Sequence, residues 1–184
     1  MTTNLLRRPT TGVSVPDSDA PLSADAAVEQ LYAGHYTQLV RLGVLLLHDQ
    51  GASEEVVQDA FIALHARWGQ LRDPEKAAAY LRQSVVNRAR SALRHRKVVA
   101  RHLPVPLPDE PGADQAALAS ARRSAVLTAL ADLPQRQREV LALRYYLDQS
   151  EHQIAETLGI SAGAVKSHAS RGAAALRNLL EEER

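Results

Sequence analysis

The sequence predicts an all-α fold of two small helical domains, three helices and then four, joined by an extended Pro-rich linker. Three observations carry that prediction. Hydrophobic residues make up 45% of the 184-residue chain but aromatics only 4%, and abundant Ala and Leu favour helices over sheets. Apolar residues recur at three- and four-residue spacing in both halves, the period of an amphipathic helix. Between the halves, LPVPLPDEPG (Leu103–Gly112) holds four prolines, which neither helix nor sheet accommodates. The chain thus divides into a disordered tail (1–22), a first domain (23–101), an acidic linker (102–115) and a second domain (116–184).

Pro9, Pro16 and Pro21 among Thr, Ser and Asp leave the first 22 residues without periodicity. Ser23 is placed to cap a helix from Ala24 to about Leu47, with Val28, Leu31, Tyr32, Leu39, Leu42 and Leu46 on its apolar side. His48–Gly51 reads as a turn, and Ser53 as the cap of the next helix, EEVVQDAFIALHARW. Val57, Phe61, Leu64 and Trp68 form its apolar stripe. Glu54, Glu55, Gln58 and Asp59 lie on or beside the opposite face, where a solvated face and a partner surface are equally good readings.

Asp73-Pro74-Glu75 starts a third helix, expected to reach about Arg101. From Lys76 to Arg101 that helix carries eight bases and no acid. At roughly 100° per residue, Asn87, Arg90, Arg94, Lys97 and Arg101 fall within about a quarter turn. A stripe of one sign without Glu at four-residue spacing repels itself, which favours contact with a polyanion's phosphates.

Beyond the linker, a helix over about Ala116–Leu130 exposes Arg122 and Arg123. Leu133-Pro134 then restarts the chain, with Val140, Leu141, Leu143 and Tyr145–Leu147 as core. SEHQIAETLGISAGAVKSHASRGAAALR (Ser150–Arg177) reads as a helix-turn-helix. Ser150 and Gln153 have capping-box spacing. Gly159 suits the left-handed residue after a helix, Ile160 plugs the turn, and Ser161 caps the second helix. Ala155, Gly159 and Val165, at offsets 0, 4 and 10, supply close approach, turn and anchor. Lys166, Ser167, Ser170 and Arg171 lie largely off the Val165 face, where such a helix meets a DNA major groove.

Composition sets the outer limits. The net charge is +1, so a nucleic-acid surface must arise from local segregation of charge. The absence of Cys excludes disulfides and thiolate metal sites and suits a reducing cytoplasm. No apolar run approaches the ~20 residues of a membrane span. Arg7-Arg8 lacks the apolar segment of an export signal.

Taken together, four stretches resemble bacterial RNA polymerase sigma factors of the extracytoplasmic-function type, in the sigma-70 family. They are VEQLYAGHYTQLVRLGVLLL, SEEVVQDAFIALHARW, YLRQSVVNRARSALRHRK and LPQRQREVLALRYYLDQSEHQIAETLGISAGAVKSHASRGAAALR, in family order over about Val28–Leu180. The resemblance implies that Glu54, Glu55, Gln58, Asp59 and Phe61 dock on the clamp helices of core RNA polymerase, with Phe61 partly core. It implies that Tyr80, Arg82, Asn87, Arg90 and Arg94, with Lys97 of the basic stripe, serve the promoter element nearest the start site as it opens. Lys166, Ser167, Ser170 and Arg171 match positions facing the farther element. Core polymerase (clamp and flap) and promoter DNA are the implied partners, and an anti-sigma factor is an expectation of the family. Tyr80 stands where many relatives have Trp, and His168 and Ala169 where Arg and Leu are commoner.

Unpaired bases are held by stacking and edge hydrogen bonds, and the loop Leu71–Glu75 with Tyr80 is nearest to such a role. The alternative is a ligand- or phosphorylation-controlled helix-turn-helix regulator acting without core polymerase, but no alternating strand pattern of a receiver precedes the motif. An enzyme is disfavoured: the seven His residues show no metal-ligand spacing, and no Gly-rich phosphate loop is present. Catalytic residues, metal ligands and cofactors are therefore not expected.

Overall fold

Ser23 starts the first helix as its position predicts. Its hydroxyl accepts the Ala26 amide at 3.3 Å, and α1 runs Ala24–Leu47. The computed structural model describes residues 23–71, 73–100 and 117–182, with backbone alone at 99, 100 and 117–123. The expectations for the tail, the linker, Arg101 and the exposure of Arg122 and Arg123 lie outside the described residues.

The second helix begins earlier than expected. Asp49, not Ser53, is its N-cap, accepting the Ala52 amide at 2.9 Å, and α2 runs Gln50–Arg67. Ser53 lies inside the helix, fully buried, with its hydroxyl donating to the Asp49 carbonyl at 2.5 Å. The reason is packing. A Cβ built on Gly43 of α1 would stand 2.8 Å from the Ser53 Cβ, so the two helices cross where both side chains are minimal.

Asp73 caps the next element, accepting the Glu75 amide at 3.2 Å, and a 3₁₀ turn over Pro74–Lys76 leads into α3, Ala77–Ala100. Leu81, Val85, Val86 and Ala89 are buried against Leu42, Leu46, Val57 and Leu64 in one apolar cluster. These three helices form the first domain.

The second domain holds α4 (Ala117–Asp132), α5 (Gln135–Leu141), α6 (Glu151–Leu158) and α7 (Ala162–Glu182). A wide π turn, Ala142–Tyr146, extends α5. It overturns one core assignment: Tyr145 is 70% exposed, because the wider turn shifts the angular phase of the residues that follow. Tyr146 and Leu147 are only partly buried. Gly172 of α7 supplies a close approach that periodicity did not reveal; a Cβ there would lie 3.1 Å from Gln137 Cβ and 3.2 Å from Leu141 Cδ1.

The two domains pack directly on each other. Val140, Leu143, Ile154, Leu158 and Val165 join the first domain's apolar cluster, and Leu45 of α1 packs against Leu130, Leu133 and Leu141. Among the described residues there is no strand, and no helix is long and apolar enough to cross a membrane.

Candidate functional site

The predicted site residues occupy three helix faces. On α2, Glu55, Gln58 and Asp59 are exposed and Glu54 is half-buried, while Phe61 is buried. The acidic face is not isolated: Asp59 Oδ2 pairs with Arg88 Nη1 of α3 at 2.9 Å, and Glu54 accepts from Gln50 at 2.6 Å. Beside this face stands an aromatic cluster, of which the periodicity places Tyr32 on the apolar side of α1 and Phe61 in the stripe of α2. Tyr32 stacks on Tyr36 with centroids 4.5 Å apart and meets Phe61 at 5.1 Å, yet Tyr32 is 43% exposed and neighbouring Ile62 67%. Burial, followed by the Tyr32 and Glu54 neighbours, raises the Tyr36 hydroxyl pKa.

On α3 the basic stripe is split by its surroundings. Arg94 and Lys97 are exposed. Arg94 donates to the Ser91 hydroxyl at 2.8 Å, and neither has a carboxylate partner among the described residues. Arg90 differs. Its Nε and Nη2 donate to the two Glu139 carboxylate oxygens, each at 2.7 Å, with side chains 14% and 3% exposed. Asn87 is exposed and accepts from Arg90 Nη1 at 3.2 Å. The self-repelling stripe is therefore a property of α3 alone; other elements return acids to it, Glu139 to Arg90, Asp59 to Arg88 and Asp49 to Arg96 at 2.7 Å.

Tyr80 and Arg82 are half-buried. Both line a groove of about 590 Å³ with Leu71, Asp73 and Lys76 on one wall and Gln149, Gln153, Glu156 and Thr157 of the second domain on the other. Burial lowers the Arg82 pKa, and its Nε has no hydrogen-bond partner. Tyr80 also lines a second groove of about 350 Å³ with Arg67, Gln83, Ser84, Asn87, Arg88 and Ser91.

The helix-turn-helix forms as its residues dictate. Gln153 N donates to Ser150 Oγ at 3.3 Å and Ser150 N to Gln153 Oε1 at 2.9 Å, completing the capping box. Gly159 ends α6 at φ 64°, ψ 42°, the left-handed region that glycine enters without penalty. Ser161 caps α7 through the Ala164 amide at 3.2 Å. Val165 is fully buried, which turns Lys166, Ser167, Ser170 and Arg171 outward, all four exposed. Arg171 Nη2 donates to Ser167 Oγ at 2.8 Å, so its guanidinium lies along the outer face of the helix. Lys166 reaches Glu151 of α6 at 3.6 Å.

Sequence reasoning missed Glu139 and Arg138. Glu139 also accepts from Gln135 at 2.8 Å and Arg136 at 3.2 Å. Arg138 Nη1 meets the Ala131 carbonyl at 3.1 Å and His48 Nε2 at 3.2 Å. The only hint in the sequence is an ionised pair set against the apolar run VLAL. Among the described residues no group of three or more His, Cys, Asp or Glu is placed to hold a metal ion.

Two family models match: sigma-70 region 2 over residues 31–98 and sigma-70 region 4 over 123–176. A probable RNA polymerase sigma factor, RfaY, of Xanthomonas campestris pv. campestris is 33% identical over 168 residues, 85% of this chain and 42% of that one. The RNA polymerase sigma-E factor of Streptomyces coelicolor is 34% identical over 143 residues, 77% of this chain and 79% of the relative. Among solved structures, CnrH in complex with the cytosolic domain of CnrY superposes with a TM-score of 0.65 at 25% identity, over 88% of this chain and 96% of that one.

Proposed function

Because the chain belongs to the sigma-70 family, among its extracytoplasmic-function sigma factors, we propose that it binds core RNA polymerase in the cytoplasm and directs promoter recognition and opening. Core polymerase carries out nucleotidyl transfer, and this chain performs no bond chemistry itself. The observation that carries the reading is the pairing of two DNA-directed faces in family order. Exposed Arg94 and Lys97 lie on α3 within the region 2 match, and exposed Lys166, Ser167, Ser170 and Arg171 on α7 within the region 4 match.

The division of labour follows from chemistry. Phosphate contacts from Arg90, Arg94 and Lys97 position the first domain, while base contacts specify sequence. Tyr80 and the groove beside it offer an aromatic face and polar walls for an unstacked base. Arg171 has the planar fork that reads guanine, whereas Lys166 supplies a point charge for phosphate. Glu54, Glu55, Gln58 and Asp59 form the polymerase-docking face, with Phe61 fixing α2 beneath it. That CnrH was solved with the cytosolic domain of CnrY supports a further protein partner for this chain as well, for which an anti-sigma factor is the family expectation.

The test is transcription in vitro with purified core polymerase on genomic DNA, mapping start sites. Discrete new start sites that need both components are expected. Sequence-specific binding of the chain alone, unaffected by core, is the result expected of an ordinary helix-turn-helix regulator.

A further inference from the structure

Lys166 is assigned to DNA phosphate, yet its ammonium already reaches a carboxylate on the neighbouring helix. Glu151, the first residue of α6, stands between two cations. Its Oε2 lies 3.6 Å from Lys166 Nζ of α7, and its Oε1 lies 3.4 Å from Arg144 Nη1 of the π turn. We infer that Glu151 is a restraint on sequence-independent binding: it competes with phosphate for Lys166 and Arg144, so the helix-turn-helix holds DNA less by charge and more by base contacts. The inference rests on the sigma-factor reading, since it concerns how the face assigned to the upstream element chooses its sequence.

The sign of the charge carries the first part of the argument. The first helix of a helix-turn-helix crosses the DNA backbone, where cations would strengthen binding. Here α6 carries Glu151 and Glu156 and neither Lys nor Arg. A phosphate brought to Lys166 therefore comes close to the Glu151 carboxylate, well inside the ~8 Å over which physiological salt screens charge. It must displace Glu151 or share the ammonium with it, and either course weakens the contact.

Glu151 is not needed to hold the motif together. The capping box at the start of α6 is complete through Ser150 and Gln153, and buried Ile154 and Val165 supply the apolar contact of the crossing. The two ion pairs are longer than the about 2.7–2.9 Å of a well-formed charge-assisted hydrogen bond. The side chains are 32% exposed for Glu151, 38% for Arg144 and 70% for Lys166. Loose pairs open to solvent contribute little to stability, and they yield to a competing anion.

The restraint is selective. Arg171 is oriented by the Ser167 hydroxyl and carbonyl, not by an acid, so the residue placed to read guanine keeps its full charge. Phosphate contacts are alike for every sequence. A carboxylate that trims them leaves base reading as the larger share of binding, which is how a repulsive element sharpens choice. The many unrelated sites of a genome compete for any DNA-binding chain, and weaker attraction to all of them leaves more of it for its own elements.

The experiment compares the full-length wild type with Glu151→Gln, which removes the charge and keeps the shape. Anisotropy of a fluorescent duplex of unrelated sequence, titrated at several salt concentrations, reads sequence-independent affinity. Glu151→Gln is expected to tighten binding by roughly five-fold at low salt and to steepen the slope of log affinity against log salt by about 0.9, the value of one phosphate contact. Lys166→Ala is expected to cost more in the Glu151→Gln chain than in the wild type. Unchanged affinity and slope overturn the restraint. So does an equal gain in Glu181→Gln, which removes an exposed acid from the far end of α7, because net charge alone then explains the effect. An equal cost of Lys166→Ala in both chains overturns it as well. If Glu151→Gln loses helicity, Lys166→Ala in the wild type decides: a slope lowered by well under about 0.9 supports the restraint, and loss of a full contact overturns it. A library of upstream elements read with the holoenzyme completes the test. A gain shared by all sequences supports the restraint, whereas a change confined to one base pair makes Glu151 a base reader and overturns it. Start-site mapping of the wild type with core polymerase reports on the sigma-factor reading independently of the duplex titrations.

Discussion

Asp59 shows how a single residue serves two neighbours. It presents a carboxylate on the outer face of α2 while pairing with Arg88 of α3 at 2.9 Å. The Asp59 side chain is 62% exposed, and exposed pairs contribute only about 0–1 kcal/mol. Asp59→Arg is therefore expected to leave helicity intact and to abolish capture by core polymerase in a pull-down. Retained capture would remove Asp59 from the docking face. On α7, Arg171 is held along the outer surface by Ser167. Arg171→Ala should relax preference at one or two base pairs of the upstream element by roughly 1–3 kcal/mol, and Lys166→Ala should weaken all sequences about equally. A library of upstream elements read with the holoenzyme separates them; a uniform loss in Arg171→Ala makes it a backbone contact instead.

At the scale of elements, the α1–α2 crossing depends on Gly43 meeting Ser53. Gly43→Ala puts a methyl group 2.8 Å from Ser53 Cβ, where backbone rather than a mobile side-chain tip must yield. Overpacking of this kind costs about 1–3 kcal/mol, so thermal unfolding should shift downward by several degrees while Gly34→Ala, with nothing within 4 Å, should not. An unchanged melting curve for Gly43→Ala would show that the helices separate freely.

The helix-turn-helix was legible because its signals are local: Ser150, Gln153, Gly159 and Ser161 act within four residues of themselves. Ser53 reads as a cap in the sequence, yet Asp49 is an equally good cap four residues earlier. What decides between them is Gly43, on another helix. Arg90 was legible as a cation on a basic stripe but not as a buried one, since Glu139 is 49 residues away in sequence and reaches it only through domain packing. An α-helical period places Tyr145 in the core, but the chain makes a π turn there, which periodicity does not reveal.

At the scale of the molecule, the domain seam should respond to acid. His48 ends α1 in the left-handed region at φ 55°. Burial and then the Arg138 charge lower its pKa from 6.5 to about 4, with Asp132 acting in the opposite sense. Between those values the unfolded chain binds the proton and the folded chain does not. Stability therefore falls as pH drops from 6.5 towards 4. His48→Asn keeps a residue that tolerates the left-handed conformation and removes the titration, so its acid limb in denaturant titrations should be flatter. Identical slopes would assign the acid sensitivity elsewhere.

Joined to core polymerase, a sigma factor of this family must open promoter DNA. Permanganate reactivity of thymines near a mapped start site reports strand opening directly. Reactive thymines are expected only when chain and core are both present, with opening weakened across different promoters and its salt dependence flattened when Arg90 and Arg94 are both replaced by Ala, as fewer phosphate contacts require. Duplex that stays unreactive with both components present, or opening that is indifferent to the double replacement, would contradict it.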